Sequence, residues 1–170
     1  MEAIKIGECS LRGWGKADLP ALVKYADNRK IWLNVRDVFP FPYTLNDAEA
    51  WINILQDPLT NFAIATRIEA IGGIGFNLQG DVYRRSAEIG YWIGEPYWNM
   101  GIATLAVGAA AKYAFANFDL ARLYATVFEW NPASARVLEK NGFKLEGRLE
   151  KSVIKDGKLI ASLLYALIID

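Results

Sequence analysis

One stretch near the middle of the chain constrains the fold more than any other. Apolar and polar residues alternate over Ala87–Ile93, which is the period of a β-strand. Gly94-Glu95-Pro96 interrupts that strand, because proline has no N–H to donate to a sheet. From Ile102 to Phe118 the residues are helix formers without proline. The sequence therefore predicts a strand, a short loop and a helix, which opens at Asn99-Met100-Gly101.

The start of this helix is suited to an anion. The first N–H groups of a helix have no intrahelical partner and carry partial positive charge, which favours phosphate. Gly101 lets a ligand approach the backbone, and Thr104 adds a hydroxyl in the first turn. The loop lacks the Gly-Lys-Ser/Thr of a Walker A and the three glycines of a dinucleotide fingerprint. On these residues alone, an ordinary glycine turn remains the alternative.

The remaining elements predict an α+β domain, a layered α/β arrangement on a mixed, mostly antiparallel sheet. Strands are expected over Ala3–Leu11, Phe62–Ile68, Ile71–Leu78, Arg122–Phe128, Phe143–Ile154 and Leu159–Ile168. Helices are expected over Lys16–Asp27, Thr44–Gln56 and Asn131–Asn141. A chain of 170 residues is long enough for one domain and rather short for two. We therefore treat residues 1–170 as a single domain.

Turn and cap residues support these boundaries. Thr44 is an N-cap residue with Asp47 three positions on, and Asp57-Pro58 is expected to end that helix. Asn131-Pro132 is a favourable helix opening, because asparagine caps well and proline suits the first helical position. Asp156-Gly157 lies between the last two strands and predicts a tight hairpin.

Composition excludes several classes of function. Lysine plus arginine equals aspartate plus glutamate, so neither direct nucleic-acid binding nor binding to an anionic membrane is expected. The chain has no histidine, which excludes a histidine-based triad and argues against a metal site. Cys9 is the only cysteine, and no apolar run is long enough to span a bilayer. The sequence predicts a cytoplasmic protein without a signal peptide.

Two segments resemble the GNAT family of N-acetyltransferases. The first is Ala87–Ile93 with the loop Tyr97–Thr104, where Trp98 stands at the first position of the family's acetyl-CoA loop and glycine and alanine fill its two small positions. The second is Asn131-Pro132-Ala133-Ser134 followed by 136–143. Both occur in the family's order, and the nearest branch is the RimJ/RimL type, which acetylates ribosomal-protein N termini.

The resemblance implies a GNAT fold with helices on both faces of a twisted sheet. Its two central strands splay apart, and the pantetheine arm of acetyl-CoA lies between them; here these would be Ala87–Ile93 and Arg122–Phe128. It also implies acetyl-CoA as co-substrate and no metal. The implied cofactor-binding residues are Trp92 and Ile93, through their backbone, together with Trp98, Asn99, Met100, Gly101, Ile102, Ala103, Thr104, Asn131 and Ser134.

Acetyl transfer to an amine needs a base, and Glu88 is the best candidate. The alternative is a structural role for Glu88 in an ion pair with Arg84 or Arg85. Many GNAT enzymes carry a tyrosine general acid four residues after the position of Ser134, where this chain has Leu138. Ser134 is the implied substitute for that acid, as proposed for the RimJ/RimL branch.

The segment Trp32–Tyr43 is dense in aromatic residues and proline, so it is expected to start as a helix at best and end as an ordered loop. It packs its rings onto the core, or it forms a wall of the acceptor site through Trp32, Asp37 and Phe39, with Asp37 binding a cationic amine. The acceptor, a protein N terminus or a small amine, stays open, as does a homodimer. An acyl-CoA-binding sensor without catalysis is the alternative function, because the usual tyrosine is absent.

Overall fold

The computed structural model describes residues 2–55 and 60–169, whose strands all belong to one sheet. The strands, in chain order, are β1 Ile4–Ile6, β2 Cys9–Arg12, β3 Asn61–Ala65, β4 Ala70–Leu78, β5 Ser86–Ile93, β6 Arg122–Phe128, β7 Lys144–Lys155 and β8 Lys158–Ile168. The α-helices are α1 Leu19–Ala26, α2 Arg29–Trp32, α3 Leu45–Ile54, α4 Ile102–Asn117 and α5 Pro132–Lys140. The strand order across the sheet is β1-β2-β3-β4-β5-β6-β8-β7.

Neighbouring strands are antiparallel throughout the described sheet except for β5 and β6, which are parallel. These two pair only from Ser86↔Arg122 to Glu88↔Tyr124. Both strands then continue, to Ile93 and to Phe128, without pairing with each other. The expected mixed sheet and the splay of its two central strands are therefore confirmed.

Helices cover both faces of the sheet, as expected. On one face, α4 and α5 pack on a large core, to which α4 contributes Ala106, Val107, Ala110 and Ala114. Small side chains let a helix lie close to its neighbours. On the other face, α1 contacts β4 and α3, around a smaller cluster of Leu22, Ala26, Tyr43 and Ala48. The gap between the two central strands, β5 and β6, is therefore flanked by a packed layer of helices on each face of the sheet.

Gly73 in β4 allows two indole rings to lie directly on the second face of the sheet. A Cβ at this position would lie 2.9 Å from Nε1 of Trp92 and 3.1 Å from Cζ2 of Trp14. The approach to Trp92 is closer than real Cβ atoms show, and the approach to Trp14 is tight, so a side chain at position 73 would displace the Trp92 ring. Trp92 also contacts Phe39 edge-on, with 5.6 Å between the ring centroids.

The starts of most elements agree with the sequence predictions. Thr44 caps α3 through a capping box with Asp47, and Asn131 caps α5. The single strand expected over Ala3–Leu11 is wrong, because Gly7 and Glu8 form a turn and the segment is the hairpin β1–β2. Gln56 and the helix stop expected at Asp57-Pro58 lie outside the described residues.

The helices α4 and α5 are in contact at Gly108, through the side chain of Asn141. Asn141, at the end of α5, donates from Nδ2 to the carbonyl of Thr104 (3.1 Å) and to that of Val137 (2.9 Å). A Cβ at Gly108 would lie 2.7 Å from Oδ1 of Asn141. Gly108 therefore lies against the end of α5.

A buried ion pair fixes the start of α1 to β2. Asp18 is 5% exposed and accepts from both guanidinium nitrogens of Arg12, at 2.8 and 2.7 Å, and from the N–H of Gly15 at 2.9 Å. Burial alone would raise the pKa of Asp18, but the hydrogen bonds from Arg12 and Gly15 and the charge of Arg12 outweigh it and hold that pKa below its ordinary value.

We expect Asp18→Asn to lower the free energy of unfolding by about 1–3 kcal/mol at pH 7, because it removes a charge-assisted pair between a buried carboxylate and a partly exposed guanidinium. An unfolded aspartate has a pKa of about 3.9, so the carboxylate's contribution is complete well above that pH and is lost as pH falls through the lower folded pKa.

Urea unfolding of both proteins at pH 7 and pH 2.5 measures this difference. Asp119→Asn, which removes an exposed partner of Arg85, is the matched control and should change stability little at either pH. An Asp18→Asn deficit of the same size at both pH values would contradict the argument.

Candidate functional site

A large open cavity lies where β5 and β6 diverge. Its volume is about 1470 Å³. It brings together the loop after β5, the start of α5, the loop after α2, one side of α3 and the end of β7. The cavity is lined by every predicted cofactor-binding residue except Met100, and also by Glu88, Asp37 and Phe39. Of the described residues, Trp32 and Met100 do not belong to the cavity wall.

The splay leaves backbone groups of β5 without a strand partner. Gly94 donates to the carbonyl of Ile71 and Gln79 donates to that of Ser86, so the even-numbered residues of β5 turn their peptide groups toward β4. The odd-numbered residues turn theirs toward β6, and beyond Glu88 that side is open. The cleft is therefore lined by the peptide groups of Tyr91 and Ile93, whereas Trp92, expected to offer its backbone, pairs with Gly73 in β4 and offers its ring.

Gly101 opens α4 in the left-handed region, with φ +77°. A Cβ built there would meet nothing within 4 Å, so the space above the glycine is open to the cavity. The residue provides no side-chain cap, and the first N–H groups of α4 lie at the cavity wall with Ile102, Ala103 and Thr104. This is the anion-suited geometry that the sequence predicted.

Trp98 braces this loop on the end of β5. Its indole Nε1 donates to the carbonyl of Ile93 at 2.7 Å. The indole thereby satisfies one of the two backbone groups of Ile93 that face the open side of the strand. The N–H of Ile93 and both backbone groups of Tyr91 remain directed at the cleft.

Two hydroxyl groups meet at the start of α5. Ser134 Oγ lies 2.8 Å from the phenolic oxygen of Tyr91, and that phenol also donates to the carbonyl of Ser134 at 3.0 Å. Asn131 accepts from the N–H of Ser134 through its side chain, so it is an N-cap residue, and both residues line the cavity. Leu138 is completely buried in the core. The phenol near Ser134 therefore comes from β5, and not from α5.

Burial raises the pKa of Tyr91 to about 12, although its hydrogen bond with Ser134 acts in the opposite direction. The phenol is therefore protonated throughout the physiological range. A protonated phenol is a hydrogen-bond donor, and a buried one needs a partner. Nothing in the local sequence of β5 indicates this partner.

Glu88 forms an ion pair with Arg36, from the loop after α2. Its side chain is 16% exposed, whereas that of Arg36 is 64% exposed. The partners considered from the sequence are wrong, because Arg84 bonds to the carbonyl of Asp81 and Arg85 pairs with Asp119. The carboxylate lies in the cavity, and its counter-ion is exposed to solvent.

Asp37 is already paired with a lysine. Lys155, at the end of β7, is 1% exposed; its Nζ lies 2.5 Å from Oδ1 of Asp37 and 3.8 Å from the ring centroid of Trp32. Arg29 adds a second link, at 2.7 Å from Asp156 in the turn between β7 and β8. Asp37 and Trp32 therefore fasten the loop after α2 to the β7–β8 hairpin. Phe39 fastens it to β5 through Trp92.

Sequence reasoning missed the basic residues of the site. Lys155 looked like a turn residue beside Asp156-Gly157, since burial of a lysine is not visible in local sequence. Arg136 and Lys140 are four residues apart on α5 and line the cavity, with no ion pair to another described residue. Their spacing on one helix face was the signal that could have identified them as cations for a phosphate-bearing ligand.

The arrangement can hold a long, anionic ligand with one end at the start of α4. The middle of the cavity then offers free N–H groups on β5, the Ser134 hydroxyl and the Glu88 carboxylate. No group of three or more metal-ligating side chains occurs among residues 2–55 and 60–169. Over the same residues, none of the helices has the length and apolarity needed to cross a membrane.

Residues 9–144 match the family model described as an acetyltransferase (GNAT) domain. The chain is 37% identical over 100 residues to the uncharacterized N-acetyltransferase YoaA of Bacillus subtilis, covering 59% of this chain and 56% of that protein. It is 35% identical over 109 residues to the ribosomal-protein-serine acetyltransferase of Escherichia coli, covering 64% of this chain and 60% of that protein. These matches thus span little more than half of each relative's length.

Solved structures share the fold over the full length. The ribosomal L7/L12 α-N-protein acetyltransferase RimL in complex with coenzyme A is similar with a TM-score of 0.86, at 24% identity and 99% coverage of both chains. The spermidine N-acetyltransferase of Vibrio cholerae, in complex with coenzyme A and spermine, gives a TM-score of 0.80 at 23% identity and 95% coverage of both chains. At these identities the likeness establishes the fold alone.

The Lys155–Asp37 pair predicts an asymmetry between two substitutions. Asp37→Asn leaves a buried ammonium without its counter-ion, and we expect it to lower the free energy of unfolding by about 1–2 kcal/mol, less than for a fully buried pair because Asp37 is 70% exposed. Lys155→Met leaves an exposed carboxylate in water and keeps an apolar stem against Trp32, so its cost should be smaller.

Chemical denaturation of the two variants measures the asymmetry, and the double variant should resemble Lys155→Met. A greater loss in Lys155→Met than in Asp37→Asn would contradict this account, because it would show that the ammonium stabilises the loop without Asp37, through its contact with the Trp32 ring.

Proposed function

The chain belongs to the GNAT family of acetyltransferases, and from this premise we propose that it transfers an acetyl group from acetyl-CoA to a primary amine. One observation supports the proposal above the others. The open backbone edge of β5 and the start of α4 at Gly101 face the same cavity, which also holds Glu88 and Ser134. A thioester held there by a phosphate-bearing carrier would lie beside both a carboxylate and a hydroxyl.

We assign the acetyl-CoA phosphates to the loop Trp98–Thr104. The N–H groups at the start of α4 favour phosphate oxygens, and Arg136 and Lys140 add positive charge from α5. The pantetheine arm follows the open edge of β5, where amide groups of the arm can pair with the peptide groups of Tyr91 and Ile93. Asn99 and Asn131 line the same path.

The reaction needs three contributions from the chain. The amine nitrogen attacks the thioester carbonyl, and a free N–H of β5 stabilises the oxyanion that develops there. Glu88 takes the amine's proton, directly or through water. The C–S bond then breaks and its electron pair leaves on sulfur, close to the Ser134 hydroxyl. A thiol has an ordinary pKa of about 8.5, so this thiolate needs only a weak donor near neutral pH.

We propose a protein N-terminal α-amine as the acceptor, in preference to a polyamine. Among the described residues, the acidic side chains of the cavity wall are Asp37, Asp47 and Glu88. Asp37 and Glu88 are each paired with a cation of the chain, and Asp47 is bonded to Thr44 as a helix cap. Among these described residues, a polycation would find no unpaired carboxylate for its distal charge. A homodimer and a cytoplasmic location remain predictions from the sequence.

The second candidate function is an acyl-CoA-binding sensor without catalysis. It is favoured by one observation, that the residue at the usual tyrosine position, Leu138, is buried in the core. Both functions require acetyl-CoA binding, so turnover distinguishes them. Release of coenzyme A thiol and the mass of the product, measured with peptides of varied N terminus and with spermidine, would decide between acetyl transfer and binding alone.

We expect Glu88→Gln to lower turnover by roughly a hundred- to ten-thousand-fold, the usual effect of losing a general base, while the affinity for acetyl-CoA is unchanged. Arg36→Gln removes the same ion pair but keeps the carboxylate, so it is the matched control and should retain turnover within about tenfold. Equal losses in the two variants, together with equal drops in melting temperature, would make the Glu88–Arg36 pair structural.

We expect Gly101→Val to abolish acetyl-CoA binding in calorimetry, because a β-branched side chain fills the space above the start of α4. The substitution also strains the backbone, since φ is positive. Gly157→Val is the matched control: Gly157 has φ +70° and open space around it, but it lies in the β7–β8 turn. It should show the same strain in its melting temperature and keep acetyl-CoA affinity. Unchanged affinity in Gly101→Val would refute the loop assignment.

A further inference from the structure

We infer that Tyr91 is a positioning residue for acetyl transfer: its phenol donates to Ser134 Oγ, so that the Ser134 hydrogen is directed at the departing sulfur. The inference rests on the proposed acetyl transfer and adds to it a residue that no part of the GNAT resemblance assigned. It is carried by the two contacts between Tyr91 and Ser134, 2.8 Å between the hydroxyl oxygens and 3.0 Å from the phenol to the carbonyl.

A count of hydrogens shows why the pair has two states. Each hydroxyl has one hydrogen. In the first state Tyr91 donates to the Ser134 carbonyl, and Ser134 donates to the phenolic oxygen, so neither hydrogen is directed at the cavity. In the second state Tyr91 donates to Ser134 Oγ, which leaves the hydrogen of Ser134 free. Only the second state offers a donor to a ligand; it has one hydrogen bond within the pair instead of two, and the bond from Ser134 to the ligand restores the count.

The pair lies where that donor is useful. Ser134 is in the first turn of α5, and both residues line the cavity. Tyr91 also turns its own peptide groups toward the cleft between β5 and β6. The same residue thus borders the path proposed for the thioester and holds the hydroxyl beside it. Leu138, one turn beyond Ser134, is buried and cannot supply a hydroxyl.

The chemistry needs a polarised donor and no proton from tyrosine. When the amine nitrogen forms its bond to the carbonyl carbon, the C–S electron pair moves to sulfur, and the thiolate accepts a hydrogen bond from Ser134. The pKa of Tyr91 is about 12, above the ordinary value of about 8.5 for a thiol, so the phenol keeps its proton. Negative charge on sulfur favours the second state, because successive donors in a chain polarise one another.

A double-mutant cycle on the chemical step tests the inference. Tyr91→Phe, Ser134→Ala and the double variant are compared with the unaltered protein by thiol release from acetyl-CoA in single turnover. The rate is measured with the best amine and again without amine, where water is the acceptor. Thiol release by the unaltered protein with amine tests the proposed function. The ratios of thiol-release rates among the variants test the role of Tyr91, and they can be measured with water as the acceptor even if no amine is accepted.

We expect Tyr91→Phe and Ser134→Ala each to slow thiol release about three- to tenfold, with the affinity for acetyl-CoA unchanged. Added to Ser134→Ala, Tyr91→Phe should have no further effect, because its action passes through Ser134. Tyr165→Phe is the matched control. Tyr165, in β8, donates at 2.9 Å to Glu139 on α5, the helix that also carries Ser134. It does not line the cavity, so this substitution should change stability only.

Three outcomes would overturn the inference. Tyr91→Phe could slow thiol release equally in the unaltered protein and in the Ser134→Ala variant, which would indicate a structural effect on β5. It could leave the rate unchanged while lowering the melting temperature. Ser134→Ala could be without effect, which removes the group through which Tyr91 acts.

Discussion

The structure depends on the place where β5 and β6 stop pairing. Two parallel strands that separate after Glu88 and Tyr124 leave peptide groups in the middle of a sheet without partners, and such groups must be satisfied. Some are satisfied by the chain itself: Trp98 donates to Ile93, and the N–H of Asn131 donates to Phe128. The others are left for a ligand. The elements that follow each strand, α4 and α5, both begin at this gap.

The parts of the site that local chemistry determines could be predicted from the sequence. Alternation over 87–93, the proline after it and the glycine before α4 were enough to place the loop and its anion-suited helix start. Asn131 and Thr44 cap the helices they were expected to cap. The splay itself followed from family resemblance and not from local pattern, because nothing in the residues of β5 and β6 encodes where their pairing ends.

The parts that depend on long-range packing could not be predicted. Glu88 has a partner 52 positions away in sequence, and Asp37 has one 118 positions away. The β1–β2 turn was missed because Gly7-Glu8 is a weak turn signal within a segment that otherwise alternates apolar and polar residues. The Tyr91–Ser134 contact arises only when β5 and the start of α5 meet across the splay. In each case the sequence supplied the residue, and tertiary structure supplied its partner.

The loop after α2 is attached differently from the rest of the cavity wall. It is held by Lys155, Arg29 and ring contacts to Phe39, whereas the wall near Gly101 consists of backbone built into helices and strands. The two halves of the site are therefore separable in evolution. Under the proposed function, substitutions in the loop would change which acceptor fits without disturbing the core, while the half proposed to bind the acyl carrier would tolerate few changes. A descendant of this chain could acquire a new acceptor through a handful of surface substitutions.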